Sequence, residues 1–158
     1  YPPDIGLRNE AGPEESLRAF VRSLLLRVFD SGRPAWHWCL MAREMADPTS
    51  ALDELVNEAI RPVHERLRGI VRALVGEGAT EEQVRYCMAC ILGQCLYFHH
   101  AKAVLKRLNW PEPGLEEVEP LTKHITEFSL SALRAMRDKT TLQELPAEGD
   151  RAAGNGKG

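Results

Sequence analysis

Nowhere in this 158-residue sequence does an apolar run approach the roughly 18 residues that a membrane-spanning helix requires, so no transmembrane segment is expected. Net charge is also slight. Twenty Lys and Arg against 23 Asp and Glu leave −3, too little to draw the chain to nucleic acid or to an anionic membrane by itself. There is no alternation of apolar and polar residues of the kind strands need, and no internal repeat. Cysteine is scarce, and three of the four (Cys87, Cys90, Cys95) fall in one apolar stretch. Partners in a disulfide ordinarily sit on different elements, so reduced, buried thiols and a cytoplasmic setting are expected. The opening Tyr1-Pro2-Pro3 has neither a Met nor the charged-then-apolar pattern of a secretory signal, and reads as the interior of a longer protein.

What the sequence does have is helical periodicity, enough for one domain with a proper core. Residues 1–12 read as an entry segment. Pro13-Glu14-Glu15 suits a helix start, with Pro at the first helical position and acids in the first turn. Leu17, Phe20, Val21, Leu24, Leu25 and Val28 then recur at three- and four-residue spacing to about Asp30. A short, Trp-rich helix is expected over 35–46, closed by Asp47-Pro48. Ser50 is expected to cap a long helix to Val75, kinked between Glu58 and Pro62 because Pro62 cannot donate its backbone bond. Thr80-Glu81-Glu82-Gln83 matches a capping box and opens a helix expected to reach Leu108. The last helix is expected from about Pro120 to Asp138. The domain therefore spans 13–138, and 139–158 is expected to be a disordered tail.

Two of these helices carry more apolar surface than one stripe requires. Tyr86 to Phe98 reads YCMACILGQCLYF, with no charged face. Gly93 in its middle costs about 1 kcal/mol of helix propensity relative to Ala, which a close helix–helix approach would explain. In the last helix Leu121, Ile125, Phe128, Ala132 and Ala135 form one stripe, and Leu130, Leu133 and Met136 widen it. An all-α bundle of five to six helices cannot hide both surpluses. The economical solution is a homodimer in which the last two helices meet their symmetry mates as a four-helix bundle.

The segments GRPAWHWCLMAREMADPTSALDELVNEAIRP (32–62), ATEEQVRYCMACILGQCLYF (79–98) and HITEFSLSALRAM (124–136) together resemble the C-terminal domain of tetracycline-repressor-like (TetR family) regulators, in the CecR-like branch. The resemblance runs from about Pro13 to Arg137. It implies a ligand-binding body and a dimer interface made by the last two helices, with Met88, Leu92, Gly93, Leu96, Leu121, Ile125, Phe128 and Ala132 at the contact. It also implies a helix-turn-helix head, which has no counterpart before Glu14. Operator DNA would then be reached only through an N-terminal segment missing from this sequence.

The same resemblance places a small apolar or aromatic effector inside the bundle, with Trp36, Leu40, Met41, Glu44, Met45, His64, Ile91, Gln94 and Phe98 as candidate contacts. Gln94 must find a partner if buried, and a structural bond to backbone competes with ligand contact. Arg43-Glu44 is expected to satisfy itself as a pair. Cys87 and Cys90 lie one helical turn apart, but Cys95 points away and no second Cys-x-x-Cys exists, so no metal or cofactor is expected. No Glu-x-x-His pair, nucleophile elbow, zincin signature or phosphate loop supports catalysis. The reading is a ligand-sensing, dimerising repressor domain and not an enzyme. The alternative is a helical interaction module without a small-molecule ligand.

Overall fold

The structure is a computed structural model that describes residues 11–29, 43–111 and 114–144. Among these residues every regular element is helical. Helix α1 (Pro13–Phe29) starts at the expected proline, and Ser16 N–H bonds to Gly12 C=O at 2.9 Å. Residues 43–46 are helical and lead into α2 (Ser50–Leu55). Its cap is Thr49 and not Ser50: the Thr49 hydroxyl accepts from the Ala51 N–H, and Ser50 is the first helical residue. The predicted kink takes the form of a π-helical turn (Val56–Ile60), in which Arg61 N–H reaches back five residues to Val56 C=O. Pro62 would collide with the Glu58 carbonyl in a regular helix, and the wider turn relieves this. Helix α3 (Arg61–Val75) follows and stops at Gly76, whose φ of 85° only glycine adopts without strain.

Helix α4 (Glu81–His100) opens on the capping box foreseen in the sequence. Gln83 N–H donates to Thr80 Oγ1 at 3.2 Å, and Thr80 N–H donates to Gln83 Oε1 at 2.8 Å. It does not run unbroken to Leu108. At Ala101 ψ moves to 0°, and a separate short helix α5 (Lys102–Arg107) begins. A 3-10 turn (Leu115–Glu117) then feeds α6 (Val118–Glu144), which continues past the expected end at Asp138. The rest of the tail, the entry segment before Ala11 and most of the Trp-rich segment lie outside the described residues.

Helices α1, α3, α4 and α6 each touch the other three. Leu17, Phe20, Val21 and Leu25 from α1, Leu67, Val71 and Val75 from α3, and Val84 and Ile91 from α4 form the centre of the core, all nearly inaccessible to water. Helices α1 and α6 are antiparallel, tied near their ends by Arg22–Glu119 and Glu14–Arg134 ion pairs. On α6, Thr122, Thr126 and Ser129 are buried with hydroxyls that meet no hydrogen-bond partner.

Candidate functional site

Helix α4 has two unlike faces. Val84, Cys87, Met88, Ile91 and Cys95 turn inward and are buried. Tyr86, Cys90, Gly93 and Tyr97, spaced four, three and four residues apart, form an exposed strip with no charge. Helix α6 carries a matching strip: Leu121 is half-buried, and His124, Phe128, Ser131, Ala132 and Ala135 are exposed. Phe128 is 61% accessible and Tyr86 62%, unusual for large apolar rings unless something covers them. The two helices meet where Cys87 Sγ lies 3.5 Å from Met136 Sδ. On α4 that contact is one turn from Cys90, and on α6 one turn from Ala132. Each strip thus comes within one helical turn of the same contact, and the two together make up the largely apolar outer face of α4 and α6.

Most of the residues expected at a dimer contact fall on or beside this face. Gly93, Phe128 and Ala132 are exposed, while Leu92, Leu96 and Leu121 are half-buried along its flanks. A Cβ added at Gly93 would meet nothing within 4 Å, so among the described residues no helix makes the close approach that its presence suggested. Met88 and Ile125 lie elsewhere in the single chain. Met88 is in step with Val84, Ile91 and Cys95, Ile125 is in step with Val118 and Ser129, and both are buried in the core of this chain. Tyr86, Cys90 and Tyr97, not among the residues expected there, share the three- and four-residue spacing of Gly93 and are exposed beside it.

The residues expected to meet an effector are more scattered. Trp36, Leu40 and Met41 lie outside the described residues. Met45 and His64 are exposed, so neither is part of an enclosed wall among the described elements. Ile91 is in the core. Glu44 is buried, and its Oε2 accepts from both the N–H and the hydroxyl of Thr49. Those bonds, with a smaller contribution from nearby Arg43, hold the carboxyl below its ordinary range. The expected Arg43–Glu44 pair is thus mainly a Glu44–Thr49 pair, and Arg43 is exposed.

Gln94 is half-buried and donates through Nε2 to Cys90 C=O at 3.2 Å, a bond within its own helix. One turn later Phe98, also half-buried, packs against Phe29 of α1 with ring centroids 6.3 Å apart. The Phe29–Phe98 ring pair is what the described structure brings together at this end of the bundle, with Gln94 one turn before Phe98 on α4. His99 beside them is half-buried, and burial, with His100 and Lys102, keeps its pKa below the usual value.

The thiols divide by depth. Cys95 is fully enclosed, and burial pushes its pKa up to about 12. Cys87 is raised by burial and by its neighbour Cys90. Cys90 is exposed, contrary to the expectation of uniformly buried thiols. Among the described residues no three His, Cys, Asp or Glu side chains gather in metal-binding geometry. The clearest ionic cluster, Arg68 and Arg72 on Glu81, is an exposed clasp between α3 and α4. Its hydrogen bonds, first from Arg68, hold the Glu81 carboxyl below its ordinary range. Among the described residues no helix is long and apolar enough to cross a membrane.

No curated protein matches the chain. A family model does: the C-terminal domain of the HTH-type transcriptional dual regulator CecR matches residues 13–133. That span begins at the first residue of α1 and ends inside α6, taking in α1, α3, α4 with its strip, and the α6 strip as far as Ala132. The chain belongs to the CecR C-terminal domain family of TetR-type transcription regulators, whose domains serve effector binding and dimerisation and are not an enzyme class.

Proposed function

We propose that this chain is the effector-sensing and dimerisation domain of a cytoplasmic TetR-type repressor. In this reading a small apolar or aromatic molecule binds in the helical core and alters operator binding by a helix-turn-helix head of the full regulator. The observation that carries the reading is the exposed, largely apolar strip on each of α4 and α6, Phe128 and Tyr86 above all. A second copy of the chain presenting the same face would cover it as a four-helix bundle.

Helix α4 then has a mechanical role. Its inner side, from Ile91 to Phe98, borders the sensing core, and its outer side at Gly93 meets the partner. An effector that binds better to one position of α4 shifts the dimer toward that position, and with it the spacing of the two heads. Sedimentation of the purified chain at low micromolar concentration tests the interface: a dimer is expected, and a stable monomer overturns it. For sensing, the full regulator bound to operator is titrated with apolar aromatic compounds. Release by a compound that also raises the melting temperature of this domain is the expected outcome. Compounds that release operator without binding the domain would move sensing elsewhere.

A further inference from the structure

We infer that Cys87, Cys90 and Met136 form a binding site for a soft monovalent metal ion, Cu(I) in chemical class, at the seam between α4 and α6. The inference stands apart from the effector reading and needs only one copy of the chain.

Two sulfur atoms meet here from two helices, and a third, that of Cys90, lies one helical turn along α4 from the first. Cys87 Sγ and Met136 Sδ are already 3.5 Å apart. Sulfurs spread trigonally about 2.3 Å from a shared metal stand roughly 4 Å from one another, so about half an ångström separates this contact from a chelate. Cys90 is the third donor. Residues three apart on a helix have Cβ atoms about 5–6 Å apart, within chelating reach for two thiols. The two thiols are also close enough for Cys90 to act electrostatically on Cys87. In the single chain Cys90 is exposed and gives a metal an entry path before a second copy covers its strip, a path that a wholly interior sulfur pair would lack.

The donor set decides the metal. Two thiols and a thioether are soft ligands, suited to Cu(I). Among the described residues no carboxylate or imidazole joins the group, so hard cations have nothing to hold, and zinc would lack its fourth ligand. On binding, each thiol releases its proton to solvent and ligates as thiolate, while the thioether donates a lone pair without proton loss. The ion would clamp α4 to α6 beside the strip that carries Gly93.

The test titrates the reduced full chain with Cu(I), anaerobically, against the chelator bicinchoninate, following sulfur-to-copper charge-transfer absorption. One equivalent per chain is expected. Cys90→Ser and Met136→Leu should each weaken binding by more than the roughly tenfold to hundredfold that loss of an outer partner costs a metal site. Cys95→Ala and Cys39→Ser should leave it unchanged. Cys90 is exposed, so its serine variant folds, and a circular dichroism melt checks this directly. Full retention of Cu(I) by folded Cys90→Ser overturns the site, as does failure of the unsubstituted chain to hold Cu(I) against the chelator.

Discussion

Glu44 and Thr49 hold one another across the Asp47-Pro48 corner: the carboxylate accepts from the threonine N–H at 3.0 Å and from its hydroxyl at 2.7 Å. The same hydroxyl oxygen accepts from the Ala51 N–H at 3.3 Å, so one side chain both caps α2 and anchors the segment before it. Thr49→Ala should destabilise the domain by about 1 kcal/mol, the usual loss for a helix cap. Thr49→Ser should restore most of it. Chemical denaturation of both variants checks the pair; equal stability of Thr49→Ala and the unsubstituted chain would show that the corner is held by other contacts.

Gly93 offers a test in which the sign is informative. In a lone subunit Gly93→Ala enters open space and gains about 1 kcal/mol of helix propensity. Gly93→Leu should fold equally well as a monomer. If a partner helix packs on this position, both changes weaken dimerisation, Leu more than Ala, through overpacking of typically 1–3 kcal/mol. Sedimentation and thermal melts of the two variants separate folding from association. A Gly93→Leu chain that dimerises normally places the contact elsewhere.

The buried hydroxyls of α6 predict an uncommon gain. Thr126 Oγ1 is enclosed without a partner, and valine has nearly the same shape without the hydroxyl. Thr126→Val should raise stability by about 1 kcal/mol, because an unpaired buried polar group is lost and no hydrogen bond is broken. Thr122→Val should act in the same direction. A loss in denaturant midpoint for both would mean that these hydroxyls bond in solution to groups they do not reach here.

The thiols should react in order of depth. In a Cys39→Ser background a thiol-specific chromogenic reagent should modify Cys90 first and Cys87 far more slowly. Cys95, at about 12, should react only after unfolding. Mass spectrometry of the partly modified chain identifies the sites; early labelling of Cys95 would contradict its enclosure.

Acid stability should carry a contribution from Glu81. Its folded pKa lies below the ordinary carboxylate value, so the stabilisation is complete above the unfolded pKa of about 4.3 and is lost as pH falls through the folded value. Glu81→Gln should therefore lower the melting temperature near neutrality and converge on the unsubstituted chain in acid. The clasp is exposed, so the effect should be small and should shrink further in high salt. A difference that grew on acidification would reverse the assigned sign.

Local chemistry made much of the fold legible. Pro13, the Thr80–Gln83 box and Gly76 each mark a helix end by backbone bonding, and Pro62 located the distortion in the helix that begins at Ser50. The break at Ala101 was invisible because no glycine or proline stands there; the chain changes course through ψ at an alanine. Helix α6 runs on past Asp138 because the helix needs no apolar stripe to continue. At the face, composition revealed the surplus but not its division. Met88 and Gly93 lie in the same run, yet a five-residue offset turns one to the core and the other to solvent. The candidate effector residues fared least well, because Trp36, Leu40 and Met41 depend on a segment outside the described residues.

The π turn between α2 and α3 has a consequence for phase. One surplus residue in a turn rotates everything before it by about 100° relative to everything after it. The apolar series from Leu52 to Leu74, continuous in sequence, is thus split into two directions. Its second half supplies Leu67, Ile70, Val71 and Leu74 to the core, while no residue of α2 or of the π turn is fully buried. Among the described elements, α2 and the turn adjoin chiefly one another and α3. The chain thereby carries a hinge pin inside what looks like one rod: α3 can stay locked in the bundle while the arm ahead of it is aimed independently.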